Sequence, residues 1–447
     1  MGCFFPTALK DCQSIGLIGS GKSNLGVLSY LEDCNENISI VIREKGMFSH
    51  PRYPVRCGER YLEDITEDAL VLSPSVRPDH PAIRQAKARG ARIVSDAEIF
   101  FTDTAAQCFA ITGSDGKSTT TALLSHLMTA ACGAEVPAVG NIGQPLTPLL
   151  ARPHTTYAVE LSSFQLFHYA PRTERALITN VSENHLNWHT DMAEYVAAKA
   201  RIYEGAKECV LSLDDPICRA LLKKPPFSLY SIEKSEKEIS KCKAEFAYYI
   251  KNDCVYENGR PFLPLSFFHL DGKYNLYNLL AAIAMAAGLV TEETARCIEN
   301  FHGLAHRCEK IASICGVDYF DSSIDSSPSR TQATLSRFSS PVILLVGGLG
   351  KGCSPAPLLD CVKEKCRAVI GFGSFGKEAA DFLYESGYQG ILPPPTKKLG
   401  EAVALAMKLA TPGDCVLLSP GATSFDEFEN YTARGVYFRR LVKDIQT

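Results

Sequence analysis

The chain is predicted to be an α/β protein with mainly parallel sheets covered by helices, and three observations predict it. Short apolar runs ending in Gly, Ser or Asn alternate with helical patterns along its length. The runs "PVILLVGG", "CRAVIGFG" and "DCVLLSPG" are almost continuously apolar, as strands buried on both faces are. Two stretches, "SIGLIGSGKS" and "CFAITGSDGKSTT", each read as a strand, a glycine turn and a helix start. With 447 residues there is too much chain for one core. At roughly 100–200 residues per domain, two to four domains are expected.

In the first block, to residue 103, "SIGLIG" reads as a strand and "SNLGVLSYLED" as the helix after it. "ISIVIRE" and "ALVLSPS" are further strands, "HPAIRQAKARG" is a helix stopped at Gly90, and "ARIVSDAEIFF" closes a small Rossmann-like unit. The second block, 104–304, opens with the second glycine turn. It continues through "TYAVELSS" and "RALITNVSENH", each strand then loop, and the helical "MAEYVAAKARIYEG". After about residue 225 the text turns Lys/Glu-rich and irregular, until the helix of "LDGKYNLYNLLAAIAMAAG". The third block, 305–447, carries the three apolar strands, each ending on glycine or serine where ligand loops sit in open α/β sheets.

Composition narrows the function classes. A net charge of -4 gives no basic footprint for nucleic acid. No apolar run approaches the roughly 18 residues of a membrane span. The start has no basic-then-apolar leader, and Pro6 spoils a Met-Gly acylation signal. Seventeen scattered cysteines without any C-x-x-C read as reduced core filler in a cytoplasmic protein.

The strict phosphate-loop pattern G-x4-G-K-[S/T] is met by "GLIGSGKS" at 16–23, whereas "ITGSDGKSTT" at 111–120 has Ile111 where the first glycine belongs. Their neighbours reverse the preference. A nucleotide triphosphate needs magnesium, which needs hard oxygen ligands. At the strand ends after the first loop Glu44 is the only acid. After the second loop, Glu160, Glu183 and His185 emerge at the loop's own edge, provided the strands are parallel neighbours. The second loop is therefore the triphosphate candidate, with Lys117 toward the phosphates and the Ser118 hydroxyl toward magnesium. The first becomes a candidate for a diphosphate or dinucleotide.

The stretches "TGSDGKSTTTALL", "NIG" at 141–143, "ELSSFQL", "NVSENHLNWH", "AAKARIY", "GLAHRCE" and "LSPGATSFDEFENYTARG" occur in an order that resembles the Mur ligases. "LSSFQL" with the "SFDEF" tail resembles their D-glutamate-adding branch. The resemblance spans essentially the whole chain. It implies three domains: an N-terminal Rossmann-like UDP-binding domain (1–103), a central P-loop ATPase-like domain (104–304) and a C-terminal Rossmann-like domain for the incoming amino acid (305–447). The implied reaction uses ATP to turn the carboxylate of UDP-N-acetylmuramoyl-L-alanine into an acyl phosphate, which the D-glutamate amine attacks in peptidoglycan precursor synthesis. The implied cofactors are ATP and magnesium at two sites, and the implied state is a cytoplasmic monomer.

Carried over by residue, the resemblance implies Lys117, Glu160, His185 and Lys199 as the catalytic set. Ser118, Glu160, His185 and a carbamylated Lys199 would be the metal ligands. Gly113, Ser114, Asp115, Gly116, Lys117, Ser118 and Thr119 would hold ATP, with Asn275, Asn278, Arg307 and Asp321. Ser20, Gly21, Lys22, Ser23, Glu44, Ser73, Asn141, Ser162 and Gln165 would meet the UDP substrate. Ser326, Lys351, Ser424 and Tyr431 would grip D-glutamate. Read without the resemblance, Lys199 is a solvated helix residue, Asn275 a cap, Asn278 a surface residue and Ser162 a helix N-cap.

The chain departs from the family pattern at Asp115 (usually Asn), Asn184 (usually Asp), Tyr274 (usually His) and Ser75 (usually Gly). In "YFDSSIDSSPSRT", Ser322 takes the usual aspartate position and Ile324 the usual lysine position, so Asp321 stands in one residue early. Two alternatives stay open: a Mur-type or folylpolyglutamate-type ligase for another amino acid, and a P-loop NTPase using "GLIGSGKS".

Overall fold

The computed structural model describes residues 4–34, 36–186, 188–270, 272–350 and 354–444. The chain divides into two compact units, Met1–Phe301 and His302–Thr447.

The first unit holds two sheets. One is fully parallel, in the order β3-β2-β1-β4-β5, with β1 Ser14–Ile18, β2 Ser39–Glu44, β3 Val55–Cys57, β4 Ala69–Leu72 and β5 Arg92–Val94. The chain runs outward from β1 on one side and then returns to β4 on the other. The loops after β1 and β4 thus flank the switch point where open α/β sheets take ligands. The buried Asn24 amide fixes the first glycine turn by donating to the Ile18, Gly19 and Val71 carbonyls.

The other sheet has nine strands, in the order β14-β13-β12-β11-β10-β9-β6-β8-β7. They are β6 Gln107–Thr112, β7 Ala138–Gly140, β8 Thr156–Glu160, β9 Thr173–Ile178, β10 Ala206–Ser212, β11 Ser228–Ser231, β12 Phe246–Lys251, β13 Cys254–Glu257 and β14 Arg260–Pro264. All pairs are parallel except those of the terminal β12-β13-β14 meander. The region after residue 225, expected to be irregular, therefore contributes four strands. Its hairpins turn on Asn252-Asp253 and Asn258-Gly259, where all four residues have positive φ, as two-residue hairpin turns demand. That turn chemistry was present among the Lys and Glu residues and was overridden by their polarity.

The Lys117–Cys132 helix starts at Gly116 (φ 78°) and stops at Gly133 (φ 63°). It packs against the Lys273–Met285 helix, whose residues from Asn278 to Met285 are all buried. A Cβ on Gly116 would lie 2.3 Å from Asn278 Oδ1, and one on Gly113 (φ 152°) 1.9 Å from Thr179 Oγ1. The loop is thus glycine-bearing both for its turn and for the approach of its neighbours.

The second unit carries a five-stranded sheet, β15-β16-β19-β17-β18, parallel apart from the β15-β16 pair. Its strands are β15 Glu309–Ile314, β16 Val317–Asp321, β17 Val342–Gly347, β18 Cys366–Phe372 and β19 Cys415–Gly421. The last three of these are buried from end to end or nearly so, as their apolar runs predict.

Fifteen described cysteines are free; six are buried and Cys34, Cys297, Cys308 and Cys361 pack against a core, so most serve as core filler, as expected. Among the described residues no helix is long and apolar enough to cross a membrane.

Gly133→Ala puts a Cβ on a left-handed residue with open space around it, and should cost about 1 kcal/mol. Gly113→Ala adds a steric collision and should cost about 3 kcal/mol. Urea unfolding midpoints compare the two.

Candidate active site

The central edge is made by three parallel strands. Ile111 of β6 lies beside Glu160 of β8 and Leu177 of β9, so the glycine loop, Glu160 and the segment from Thr179 leave the sheet together. Side chains then lock these exits to one another. Asn180 Oδ1 accepts from Asp115 N at 3.0 Å, while its Nδ2 donates to Asp115 O at 3.0 Å. Ser114 Oγ donates to Ser182 O and accepts from Ser182 N, and it also bonds the Tyr195 hydroxyl at 3.0 Å. Asn180, Ser182 and Tyr195 were missed as site residues. For Asn180 and Ser182 the sequence signal is their place in "NVSENH" at a strand end; for Tyr195 there is none.

Lys117 Nζ folds over the loop, donating to Gly113 O at 2.9 Å and Ser114 O at 2.8 Å. Ser118 and Thr119 are buried at the helix start, whereas Asp115 is exposed and accepts from Ser182 Oγ at 3.5 Å. Glu160 is 1% exposed. Its Oε1 accepts from Asn141 Nδ2 at 2.7 Å, and its Oε2 is buried with no hydrogen-bond partner. An orphaned carboxylate oxygen in a dry place is costly unless something positive completes it.

Lys199 is not the solvated helix residue its local sequence suggests. It is 2% exposed, with Nζ donating to Gly113 O at 2.7 Å and lying over the Tyr195 ring. Burial, reinforced by the Lys117 charge and opposed by Glu160, pushes its ammonium down to about 6. The amine is therefore largely uncharged at neutral pH. His185 is exposed at φ 56°, its ring edge-on to Phe164 at 5.0 Å. Asn275 and Asn278 are both buried rather than a cap and a surface residue. Asn278 Nδ2 donates to Asn275 Oδ1, and Asn278 Oδ1 accepts from Thr120 Oγ1 beneath the glycine turn.

The Mur ligase middle-domain family matches residues 111–286, the stretch that carries this edge. The UDP-N-acetylmuramoylalanine–D-glutamate ligase of Hahella chejuensis is 34% identical, covering 96% of this chain and 98% of that protein. The protein of the same name from Clostridium novyi is 33% identical, with 97% of each chain covered. The chain belongs to the Mur ligases. Solved structures share the fold. The UDP-N-acetylmuramate-alanine ligase of Thermotoga maritima matches with a TM-score of 0.60 at 18% identity, over 97% of this chain and 99% of that one. A pseudomurein peptide ligase type C of Methanothermus fervidus gives 0.54 at 16%, over 97% and 100%.

Mur ligases use ATP and magnesium, and the central edge fits a cation through the orphaned Glu160 Oε2. Among the described residues no three His, Cys, Asp or Glu side chains gather to hold a metal. The implied set supplies only two of those types, with the rest of its oxygen coming from Ser118 and a modified Lys199.

In the ligase's first sheet, Ser20 N and Oγ both donate to Glu44 Oε2, at 2.6 and 2.7 Å. Burial works against the Glu44 charge, but these bonds and one from Gly46 N hold its carboxyl below the usual range. These two donors of the loop expected to face the UDP diphosphate are turned to Glu44, the acid expected beside it. Lys22 Nζ donates to the Gly143 carbonyl. Gly21 and Ser73 do meet, since a Cβ on Gly21 would lie 3.3 Å from Ser73 Oγ. Ser23 is half-buried in the first turn of the following helix. Ser162 and Gln165 bond each other in a capping box, as the bare helix-cap reading expected.

In the second unit, Asp321 is fully buried. It accepts from His306 Nδ1 at 2.7 Å and Arg439 Nε at 2.9 Å on one oxygen, and from Ser323 N on the other. Both oxygens of this residue, expected to contact ATP, are thus engaged within the second unit. Ser326 and Ser424 follow the adjacent strands β16 and β19, and Tyr431 O accepts from Ser323 Oγ, so three D-glutamate candidates share one edge. Arg307 is half-buried where the chain enters β15. Lys351 lies outside the described residues.

A small pocket of about 10 Å³, room for about one water, is lined by Ser73, Val76, Asp96, Phe164, Gln165 and His168. Both His168 ring nitrogens are buried without a partner, and burial, with the Arg201 and Lys87 charges, pushes its imidazole from 6.5 to about 4. The folded state thus binds that proton less readily than the unfolded chain. Its contribution to stability is complete above pH 6.5 and is lost as pH falls toward 4. Urea unfolding should lose up to about 3 kcal/mol across that window, and His168→Phe should flatten the loss.

Proposed function

We propose that the chain joins D-glutamate to UDP-N-acetylmuramoyl-L-alanine at the expense of ATP, through an acyl phosphate, in peptidoglycan precursor synthesis. The near full-length likeness to ligases of that name supports the reaction. The observation that carries its location is the buried edge where Lys117, the half-orphaned Glu160 and the uncharged Lys199 meet. Residues 1–103 would hold the UDP substrate, 104–304 ATP and 305–447 the amino acid.

In this reading Lys117 sets the transferred phosphoryl group against the acceptor carboxylate and offsets its charge. The helix N-terminus at Gly116 presents backbone N–H groups to the phosphates. Magnesium, at two sites, would neutralise phosphate charge when held by Ser118, Glu160, His185 and Lys199. An uncharged Lys199 amine can form a C–N bond to carbon dioxide and release one proton to solvent, giving an anionic carbamate. Asn141 fixes one Glu160 oxygen and leaves the other for metal. Glu44 suits the hydroxyl and N–H donors of a nucleoside better than a diphosphate, so the first loop would meet the uridine end. Ser326, Ser424, Tyr431 and Lys351 would select D-glutamate, and Arg307 the ATP phosphates. We take the ligase to act as a cytoplasmic monomer. An NTPase driven by "GLIGSGKS" is disfavoured by the Ser20–Glu44 bonds.

A phosphate-release assay with the UDP acceptor and a panel of amino acids should show turnover with D-glutamate alone; equal turnover with another amino acid would reassign the substrate. Lys117→Ala should abolish ATP binding measured by calorimetry, and Lys22→Ala should leave it intact. Lys199→Ala should lose activity by about 100-fold or more and recover part of it with added short carboxylic acids. A fully active Lys199→Ala enzyme would contradict the carbamate.

A further inference from the structure

The loop after β4 and the segment bearing His185 are joined by one arginine. Arg77 Nη1 donates to Trp188 O at 2.6 Å. Nη1 and Nη2 take the two oxygens of Glu194 at 3.1 and 3.0 Å, and Nε and Nη2 take both oxygens of Asp79 at 2.9 and 2.7 Å. The guanidinium lies 5.0 Å from the Phe167 ring centre and 4.9 Å from that of Trp188. Trp188 Nε1 in turn donates to Ser75 O at 3.1 Å, two residues from Ser73. Lysine could not reproduce this, because the contacts use a planar fork of donors and a stacked face.

The other side of the junction leads to His185. Trp188 N and His189 N both donate to the His185 carbonyl at 3.0 Å. The Phe164 ring touches both Trp188, at 4.7 Å, and His185, at 5.0 Å. His189 is held by Ser163 Oγ and by the same Glu194 that Arg77 grips. His185 itself keeps a left-handed backbone, a conformation that persists only where its surroundings impose it.

We infer that Arg77 is a positioning residue: with Trp188 it ties the Ser73–Val76 loop to the backbone that aims His185, so that filling one site alters the other. This rests on the reading of the Ser73 loop as part of the acceptor site. A ligand that moves Ser75 moves the Trp188 indole, and through it the Arg77–Glu194 fork and the His185 turn. The arrangement gives the two substrates a shared element to bias, which is what energetic coupling between sites requires.

The chain has a single tryptophan, so the intrinsic fluorescence of the whole protein reports this junction. The test uses the full chain, the UDP acceptor, and a non-hydrolysable ATP analogue with magnesium, read by calorimetry and by Trp188 emission. In the unaltered protein the acceptor should shift Trp188 emission and tighten the analogue by about tenfold, within the usual range for coupled sites. Arg77→Gln and Arg77→Lys should still bind each ligand alone but bring the coupling factor close to one. In the steady state the KM for ATP at saturating acceptor should rise, with kcat changing less. Trp188→Phe, which keeps a ring but loses the bond to Ser75, should lower the coupling in the same way and serves if the Arg77 variants do not fold. Acceptor binding with an undiminished coupling factor in a folded Arg77→Gln or Trp188→Phe protein would overturn the positioning role alone. No acceptor binding to the unaltered protein would overturn the acceptor reading, and the coupling with it.

Discussion

The placement of β6 between β8 and β9, all parallel, is the constraint on which the first unit depends. It brings three chain exits to one edge: the glycine loop, Glu160, and the run from Thr179 to His185. None of these groups is close to another in sequence. Every later feature of the edge follows from that register, because a strand inserted between them would part Glu160 from the loop by about 5 Å per strand. The reciprocal amide bonds of Asn180 with Asp115 and the Ser114–Ser182–Tyr195 hydroxyl chain then turn adjacency into a fixed shape.

The edge is electrostatically unfinished. Lys199 is buried enough to shed its proton near neutrality, and one oxygen of a buried carboxylate is without a partner. A folded chain tolerates such groups where a bound partner completes them, and perturbed titration beside unsatisfied polar atoms is a mark of working sites. The first sheet has used a similar resource differently. Its glycine loop meets the strict phosphate pattern, yet its serine N–H and hydroxyl are already turned to Glu44. Two loops with nearly the same text therefore differ in which charges the neighbouring strands supply.

Much of the fold was legible because parallel strands buried on both faces are almost purely apolar, as β17, β18 and β19 are, and because glycine marked the turns. The β12–β14 meander was not legible by composition: its hairpin signals sat in a Lys/Glu-rich stretch that resembled a loop. At the site, Lys117 and Glu160 could be placed from strand ends alone. Lys199, Asn275 and Asn278 could not, since helical spacing says nothing of which face another element covers, and only the resemblance singled them out. Asn24, Tyr195 and Arg77 carried no motif at all; their roles come from contacts between residues 47 to 117 positions apart. The same holds for the pairing of Asp321 with Arg439, which engages its carboxylate and lies 118 residues later.

The central claim is that the Lys117–Glu160–Lys199 edge uses ATP to activate a carboxylate. It is tested most directly by labelling the carboxylate oxygens of the acceptor with ¹⁸O and analysing the released phosphate. If the carboxylate attacks the terminal phosphoryl group and the amine then displaces phosphate, one labelled oxygen must leave with each phosphate. Labelled phosphate formed in step with product is the predicted result. Phosphate free of label, formed at the same rate, would mean that ATP is merely hydrolysed and would contradict the account.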